Sequence, residues 1–226
     1  LNEFHYLFRS RHYAHGGAYS GASENGTCAT LHTMAVNGYG TASPDTRLEL
    51  NFYTGRVEVD GKYVTLDDGT PLQYMPLAVE QNLTASKYIE TAGARMKKYE
   101  VDRTAYSDGR MPDNDIVLYR YADVLLMKAE AKVRNGETGD EQLNAVRSRA
   151  GMPSLAATLA NILDERLLEL VWEGWRRQDM IRFGTYCEPY DIHTPSVADK
   201  KGYTIVFPIP EKARELNPNL AQNPGY

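Results

Sequence analysis

Three carboxylates stand at helical spacing in the last third of this chain: Glu165, Glu169 and Glu173, each four residues from the next. Residues four apart lie on one face of a helix, so the spacing predicts a stripe of acids. Trp172 and Trp175 sit beside it. Paired carboxylates beside aromatic rings are the groups a glycoside hydrolase uses. One would be a general acid with a raised pKa, the other would stay ionised across the substrate cleft. Here Arg166, Arg176, Arg177, Asp179 and Arg182 follow the acids at three- and four-residue steps. Acids on one face of one helix, interleaved with arginines, are held ionised and point the same way. The pattern therefore reads as a structural ion-pair network of Glu165, Arg166, Glu169, Glu173, Arg176, Asp179 and Arg182, with no catalytic residue. Within it, Glu173 and Arg177 have the favourable acid-before-base orientation, and Asp179 and Arg182 are three apart.

The histidines offer a second chemistry. His5, His12, His15 and His32 lie near the start, with His12 and His15 three apart. No Cys or acid completes a recognisable ligand spacing, so they read as exposed loop histidines. No metal and no other cofactor is implied. There is no G-x-S-x-G elbow, no Walker loop and no G-x-G-x-x-G loop.

The elements that must position these groups follow from periodicity. Leu159, Ile162, Leu163, Leu167, Leu170 and Val171 give the acid-bearing helix a buried face, and Gly184 is placed to stop it. Before it, a helix from about Arg120 carries Ala122, Leu125, Leu126 and Ala129 and closes at Asn135-Gly136. A second, capped by Asp140, runs through Leu143 and Val146 to Ala150. A short strand is expected at Ile116–Leu118, and another at Tyr203–Phe207. Further upstream, Leu48, Leu50 and Phe52 alternate as in a strand. Val57, Val59, Asp60-Gly61, Tyr63 and Thr65 spell a hairpin with a type I′ turn. Residues 1–47 are rich in Gly, Tyr, His, Ser and Asn and read mostly as loop, and another loop is expected at Ser107–Asn114.

Composition bounds the rest. The chain has 226 residues with 42% apolar content, enough for one sizeable core or two small domains. A net charge of −5 argues against a nucleic-acid partner. No apolar run is long enough to span a bilayer. The chain starts at Leu1 with no signal-peptide pattern, as a fragment or a processed form would. Cys28 and Cys187 could pair in an oxidising compartment, though two scattered cysteines more often stay free. The 16 tyrosines are the most unusual count.

Four stretches, in order, resemble the C-terminal part of the SusD/RagB family of nutrient-binding outer-membrane lipoproteins. The first runs from Leu118 to Ala131, with Arg120-Tyr121-Ala122, Val124-Leu125-Leu126-Met127 and Ala129-Glu130-Ala131. The second is Leu143 to Gly151, with Asn144, Val146-Arg147 and Arg149-Ala150-Gly151. The third is Glu165-Arg166 through Glu173-Gly174, Arg176, Asp179, Arg182 and Gly184. The fourth joins Phe207-Pro208-Ile209-Pro210 to Asn217 through Tyr226. Asp45 and Arg47 weakly echo a further element, and Gln178 stands where the family usually has an aromatic or apolar residue.

The resemblance implies a fold that is mostly α, with irregular loops and a small β component. It would be the C-terminal part of a SusD-like fold built on tetratricopeptide-like helices. Residues 1–114 would be a loop-rich, tyrosine-rich, glycan-facing region with a β-hairpin, and 115–184 the helical core. Residues 185–226 would be a loop, a short strand and an extended tail packed on the same domain, ending at the natural C-terminus. The lipid-anchored Cys and most of the repeats would precede this sequence. The implied function is capture of oligosaccharide or polysaccharide at the outer face of the outer membrane, for a SusC-like TonB-dependent transporter, without enzymatic turnover. Membrane association would come only through the lipid anchor. Flat aromatic rings shield the C–H faces of sugars while polar groups bond the hydroxyls. Tyr13, His15, Tyr19, Asn25 and Tyr39 are the candidate contacts; Tyr53 and Tyr63 read as strand residues and the two tryptophans as core. The alternatives are a peptide- or protein-binding module partnered to a transporter and, third, a glycoside hydrolase.

Overall fold

Helical periodicity after residue 115 and short alternating runs before residue 97 divide the chain's work, and a computed structural model shows both. It describes residues 9–19, 23–80, 84–101 and 114–226. His5, Tyr6 and most of the loop expected at Ser107–Asn114 lie outside the described residues. The chain forms two compact units, Leu1–Gly174 and Trp175–Tyr226.

Among the described residues, the first unit contains three short helices, α1 (Tyr13–Gly17), α2 (Leu31–Val36) and α3 (Leu48–Asn51). Three antiparallel pairs of two-residue strands follow. β1 (Phe52–Tyr53) pairs with β6 (Arg95–Met96), and β2 (Gly55–Arg56) with β5 (Gln73–Tyr74). β3 (Glu58–Val59) pairs with β4 (Lys62–Tyr63) across Asp60 and Gly61, at φ 52° and 74°. Both turn residues are left-handed, as a type I′ turn requires. Three longer helices follow among the described residues: α4 (Tyr121–Arg134), α5 (Asp140–Arg149) and α6 (Leu159–Leu170).

These three helices pack on one another, and α6 also meets α2. α4 turns Asp123, Leu126, Ala129 and Glu130 inward. Its small face matters at Ala129, because a Cβ on Gly139 would lie 2.7 Å from the Ala129 carbonyl oxygen. Glycine at 139 therefore sets how closely the α4–α5 turn folds back. Gly136, at φ 78°, ends α4 with its N–H on the Val133 carbonyl, while the Glu137 N–H reaches Lys132. That is the double bond of a Schellman stop. The N-terminus of α6 is capped by Thr158, whose side chain accepts from the Asn161 N–H.

Several local expectations change. Leu48–Phe52 is not one strand. Leu48 and Asn51 are buried three apart on α3 while Leu50 is exposed, and only Phe52 enters β1. Ile116–Leu118 pairs with no strand among the described residues. Asp140 does not cap α5 but begins it, and its side chain accepts from the Ala157 N–H at 2.6 Å. The acid-bearing helix is not continuous to Gly184: it stops at Leu170, and a new one begins at Arg176. Trp172 sits in the stop at φ 68°, a conformation that costs a bulky residue about 1–3 kcal/mol. Tertiary contacts hold it there: its indole packs on Phe52 with centroids 5.8 Å apart, and its N–H donates to the Asn51 carbonyl at 3.0 Å.

The second unit contains α7 (Arg176–Arg182), α8 (Val197–Lys200) and α9 (Glu211–Leu216). Gly184, at φ 76°, closes α7 as expected from its position. A capping box of Ser196 and Asp199 starts α8. Tyr203–Ile205 forms a 3₁₀ turn where a strand was expected, because the left-handed Gly202 leads directly from α8 into it. The tail returns onto Phe207–Pro210. The Gln222 amide bonds both the N–H and the carbonyl of Ile209, the Asn223 amide bonds the Phe207 carbonyl, and the Tyr226 hydroxyl bonds the Val206 carbonyl. Cys28 and Cys187 are free thiols.

Candidate functional site

The acidic stripe is almost fully enclosed. Glu165 and Glu169 lie on the buried side of α6, and Glu173 lies in the turn after it. Arg47 reaches them from the loop before α3, donating to Glu165 at 2.7 Å and Glu169 at 2.9 Å. Its other edge grips Asp45 with two bonds of 2.8 Å. Arg147 of α5 takes the second Glu165 oxygen at 2.6 Å. Arg149 bonds both oxygens of Glu169, at 2.6 and 2.7 Å. Arg120 spans Glu169 and Glu173, and Lys98 bonds Glu173 and the Glu169 carbonyl.

The electrostatics follow from that enclosure. Burial alone would raise the Glu169 carboxyl, but the bonds and charges of Arg120, Arg47 and Arg149 hold it below the usual range. Asp45 is likewise lowered, burial being outweighed by the bonds and charge of Arg47. Arg47, despite burial, is held more firmly protonated than usual by Asp45 and Glu165. Burial dominates at Lys98 and pulls its ammonium down to about 8, against the pull of Glu173. At Asp45 and Glu169 the direction is the opposite of the raised pKa that a general acid needs.

Other members of the expected network lie elsewhere. Arg166 is buried against Asp123 of α4 at 2.8 Å. Asp179 and Arg182 pair within α7 at 2.7 Å. Arg177 does not share a helix with Glu173; it donates to the Thr204 and Ile205 carbonyls and lies over the rings of Tyr186 and Phe207. Arg176 lines a pocket of the second unit.

The tyrosine-rich region separates into an interior and a surface. Inside, the Arg11 guanidinium lies over Tyr19 and Tyr53, at 5.2 and 5.3 Å from the ring centroids. The His15 ring meets Tyr53 edge-on at 4.5 Å, and its Nδ1 is 3.0 Å from the Tyr74 hydroxyl. The same hydroxyl accepts from the His12 N–H at 2.9 Å. Neither His12 nor His15 is an exposed loop histidine. His12 caps α1 with its ring nitrogen, and His15 is 0% exposed. Burial, with the charges of Arg11 and His12, pushes His15 down to about 3, so it is neutral at pH 7. Burial also pushes the Tyr74 phenol up to about 12. Among the described residues, no three His, Cys, Asp or Glu side chains are placed to hold a metal ion.

On the surface, Tyr13 is 58% exposed and Tyr63 is 56% exposed. Between α1 and the β3–β4 hairpin runs a groove of about 480 Å³, lined by Ala14, Ala18, Val59, Asp60, Lys62, Tyr63, Val64 and Thr65. Arg56 lies 5.5 Å from the Tyr63 ring centroid. Of the five residues expected to contact sugar, Tyr13, His15 and Tyr19 come together around α1, but only Tyr13 is exposed. Tyr39 packs instead on the Met34 and Phe52 cluster, and the N–H of the left-handed Asn25 donates to the Arg11 carbonyl. Tyr63 was missed as a surface group. The signal was present: it is the out-facing partner of Glu58 across the hairpin, where Val59 faces in.

A family comparison covers the charge cluster and the β3–β4 hairpin. The SusD family profile matches residues 19–194. The chain belongs to the SusD family. It is 30% identical over 139 residues to the starch-binding protein SusD of Bacteroides thetaiotaomicron, covering 58% of this chain and 25% of that protein. A SusD-like protein of Formosa agariphila is 32% identical over 130 residues, covering 50% and 25%. Among solved structures, a SusD homolog from B. thetaiotaomicron superposes with a TM-score of 0.59 at 22% identity, over 91% of this chain and 45% of that one. A SusD superfamily protein from Bacteroides vulgatus gives 0.57 at 21%, over 87% and 44%. These two establish the fold. The matched region is about a quarter of the length of the curated relatives. Among the described residues, no helix is long and apolar enough to cross a membrane.

Proposed function

We propose that this chain is the glycan-binding portion of a cell-surface capture protein, with sugar lying in the groove between α1 and the β3–β4 hairpin. One observation carries the reading: in a SusD-family chain, the exposed rings of this region gather at that groove. Tyr63 lines it, and Tyr13 stands exposed on the helix that forms one wall. Val59, Val64 and Ala14 supply an apolar floor, and Asp60, Lys62 and Thr65 supply polar groups for hydroxyls. The volume lies within the range of about 300–1,000 Å³ typical of small-molecule sites. Of the five expected contacts, Tyr13 keeps a direct role. His15 and Tyr19 support the layer behind it, Tyr39 belongs to the separate Met34 and Phe52 cluster, and Asn25 shapes the loop. The starch-binding relative adds weight to a glycan over other ligands. The chain does not turn the sugar over, because the carboxylates that could do so are saturated by cations. A lipid anchor ahead of residue 1, the outer face of the outer membrane and delivery to a SusC-like TonB-dependent transporter complete the proposal.

Calorimetry of the full-length protein against a panel of starch, laminarin and other oligosaccharides tests it. Binding to at least one glycan is expected, weakened about tenfold by Tyr63→Ala, which corresponds to about 1.4 kcal/mol. No binding across the panel, or binding untouched by Tyr63→Ala, would remove the groove from consideration.

A second reading, a protein-binding module, draws on a different surface. Leu118, Tyr119, Tyr121, Val124 and Met127 are all exposed along the start of α4 and the segment before it. Apolar side chains in such a run commonly meet another protein surface. Co-purification of a β-barrel partner that is lost on Leu118→Lys plus Tyr121→Lys, in a protein without sugar affinity, would favour it.

A further inference from the structure

Tyr63 does not stand at the groove alone. The Arg56 guanidinium lies over its ring, 5.5 Å from the centroid. We propose that Arg56 is a positioning residue for glycan capture: it holds the Tyr63 ring from behind and leaves one face of it open to sugar. This rests on the reading of the groove as the glycan site.

The register of the hairpin brings the two side chains together. Glu58 stands opposite Tyr63, and the Val64 N–H donates to the Val57 carbonyl at 3.0 Å. Val57, Val59 and Val64 are buried, so Arg56, Glu58, Tyr63 and Thr65 share the outward face. On that face Arg56 is the diagonal neighbour of Tyr63, a separation that a long side chain and an aromatic ring can span. Glu58 is exposed on the same face, yet among the described residues Arg56 forms no ion pair. Its guanidinium goes to the ring.

A cation over an aromatic face is attracted by the ring's quadrupole. Tyr63 lines the groove and Arg56 does not. The two faces of the ring therefore have different work. One meets the guanidinium, and the other is left for the C–H side of a pyranose. An exposed tyrosine on a strand has two common settings of its first side-chain angle. A sugar that had to fix the ring on arrival would lose affinity in doing so. A guanidinium already stacked on the ring removes part of that loss. Arg56 thus acts on the sugar through Tyr63, from outside the groove.

The test is a double-mutant cycle on glycan affinity, measured by calorimetry of the full-length protein with maltoheptaose and laminarihexaose. Whichever of the two binds tighter is carried through the cycle. Arg56→Ala should weaken it about two- to fivefold, the worth of an exposed cation–ring contact, with an unchanged denaturation midpoint. In a Tyr63→Ala background the same change should do nothing further, which separates positioning through the ring from direct contact with sugar. Arg56→Lys keeps a cation for the ring and should lie between the unsubstituted protein and Arg56→Ala. Unchanged affinity in Arg56→Ala overturns the proposal. So does an equal loss with and without Tyr63, or a loss that comes with a lowered midpoint. If neither glycan binds, or if Tyr63→Ala leaves affinity unchanged, the groove reading fails and this inference fails with it. If Tyr63→Ala weakens binding and Arg56→Ala does not, the groove stands and only the role of Arg56 falls.

Discussion

The charge cluster beneath α6 and the tyrosine layer around α1 are both dense in functional chemistry, yet they use it in opposite ways. In the cluster, Asp45, Glu165, Glu169 and Glu173 face Arg47, Arg120, Arg147, Arg149 and Lys98, and every carboxylate is bonded. Nothing is left over for a substrate. In the tyrosine layer the groups divide: His15 and Tyr74 are enclosed, while Tyr13 and Tyr63 reach solvent. Residue type alone nominates both regions as sites. Saturation of hydrogen bonds and exposure of ring faces separate the scaffold from the surface that can act.

The comparison breaks most visibly at Glu169. Glu169→Gln removes the carboxylate charge that Arg47, Arg120 and Arg149 share, and breaking a buried pair costs about 3–5 kcal/mol. Chemical denaturation should show that loss, while glycan affinity of the folded protein stays the same. An unchanged midpoint would mean the cluster is not structural. Acid should act on the same groups gradually. Asp45 and Glu169 have lowered pKa values in the fold, so below about pH 4 the unfolded chain takes up protons that the native state refuses. Their contribution is complete above that pH and drains as pH falls through the lowered values. A stability profile flat from pH 5 to pH 2 would contradict this.

His15→Ala comes next. It removes an enclosed ring and strips the Tyr74 hydroxyl of one partner, at an expected cost of about 2–4 kcal/mol. A His15→Ala protein of normal stability that had lost sugar binding would reverse the division drawn between interior and surface. Tyr63→Ala should do the opposite of His15→Ala: affinity falls about tenfold, and the denaturation midpoint barely moves because the ring is half in water. Tyr13→Ala should weaken binding less, since Tyr13 stands on the wall of the groove and not among its lining residues. The smallest effect expected is Thr158→Ala. It removes the cap of α6 and costs about 1 kcal/mol without touching either region's partners.

Much of the helical half was legible before any coordinates. The stops at Gly136 and Gly184 lie where left-handed glycine ends α4 and α7. The Asp60-Gly61 hairpin is also as read. These are local decisions, made by residues within one turn of each other. The candidate groove was only half legible. Contact chemistry points to Tyr13, but the strand pattern that contains Tyr63 does not by itself say which way the ring faces. His15 reads as a surface group from the sequence because loop composition says nothing of what packs over a ring.

By itself, then, the sequence determined the glycine stops, the turn and the presence of charges that must be paired. It also carried the family, through motifs spread across half the chain. Only the tertiary structure decided the partners. Glu165 and Glu169 meet Arg47, which lies 118 and 122 residues away, in preference to the arginines that follow them. The break at Trp172 has no proline to announce it, and it stands because Phe52 and Asn51 receive the indole. Periodicity reports what a residue does within a few positions of itself. Which distant segment arrives to complete a charge or cover a ring depends on how the chain returns, and that separates the enclosed carboxylates from the tyrosines open to solvent.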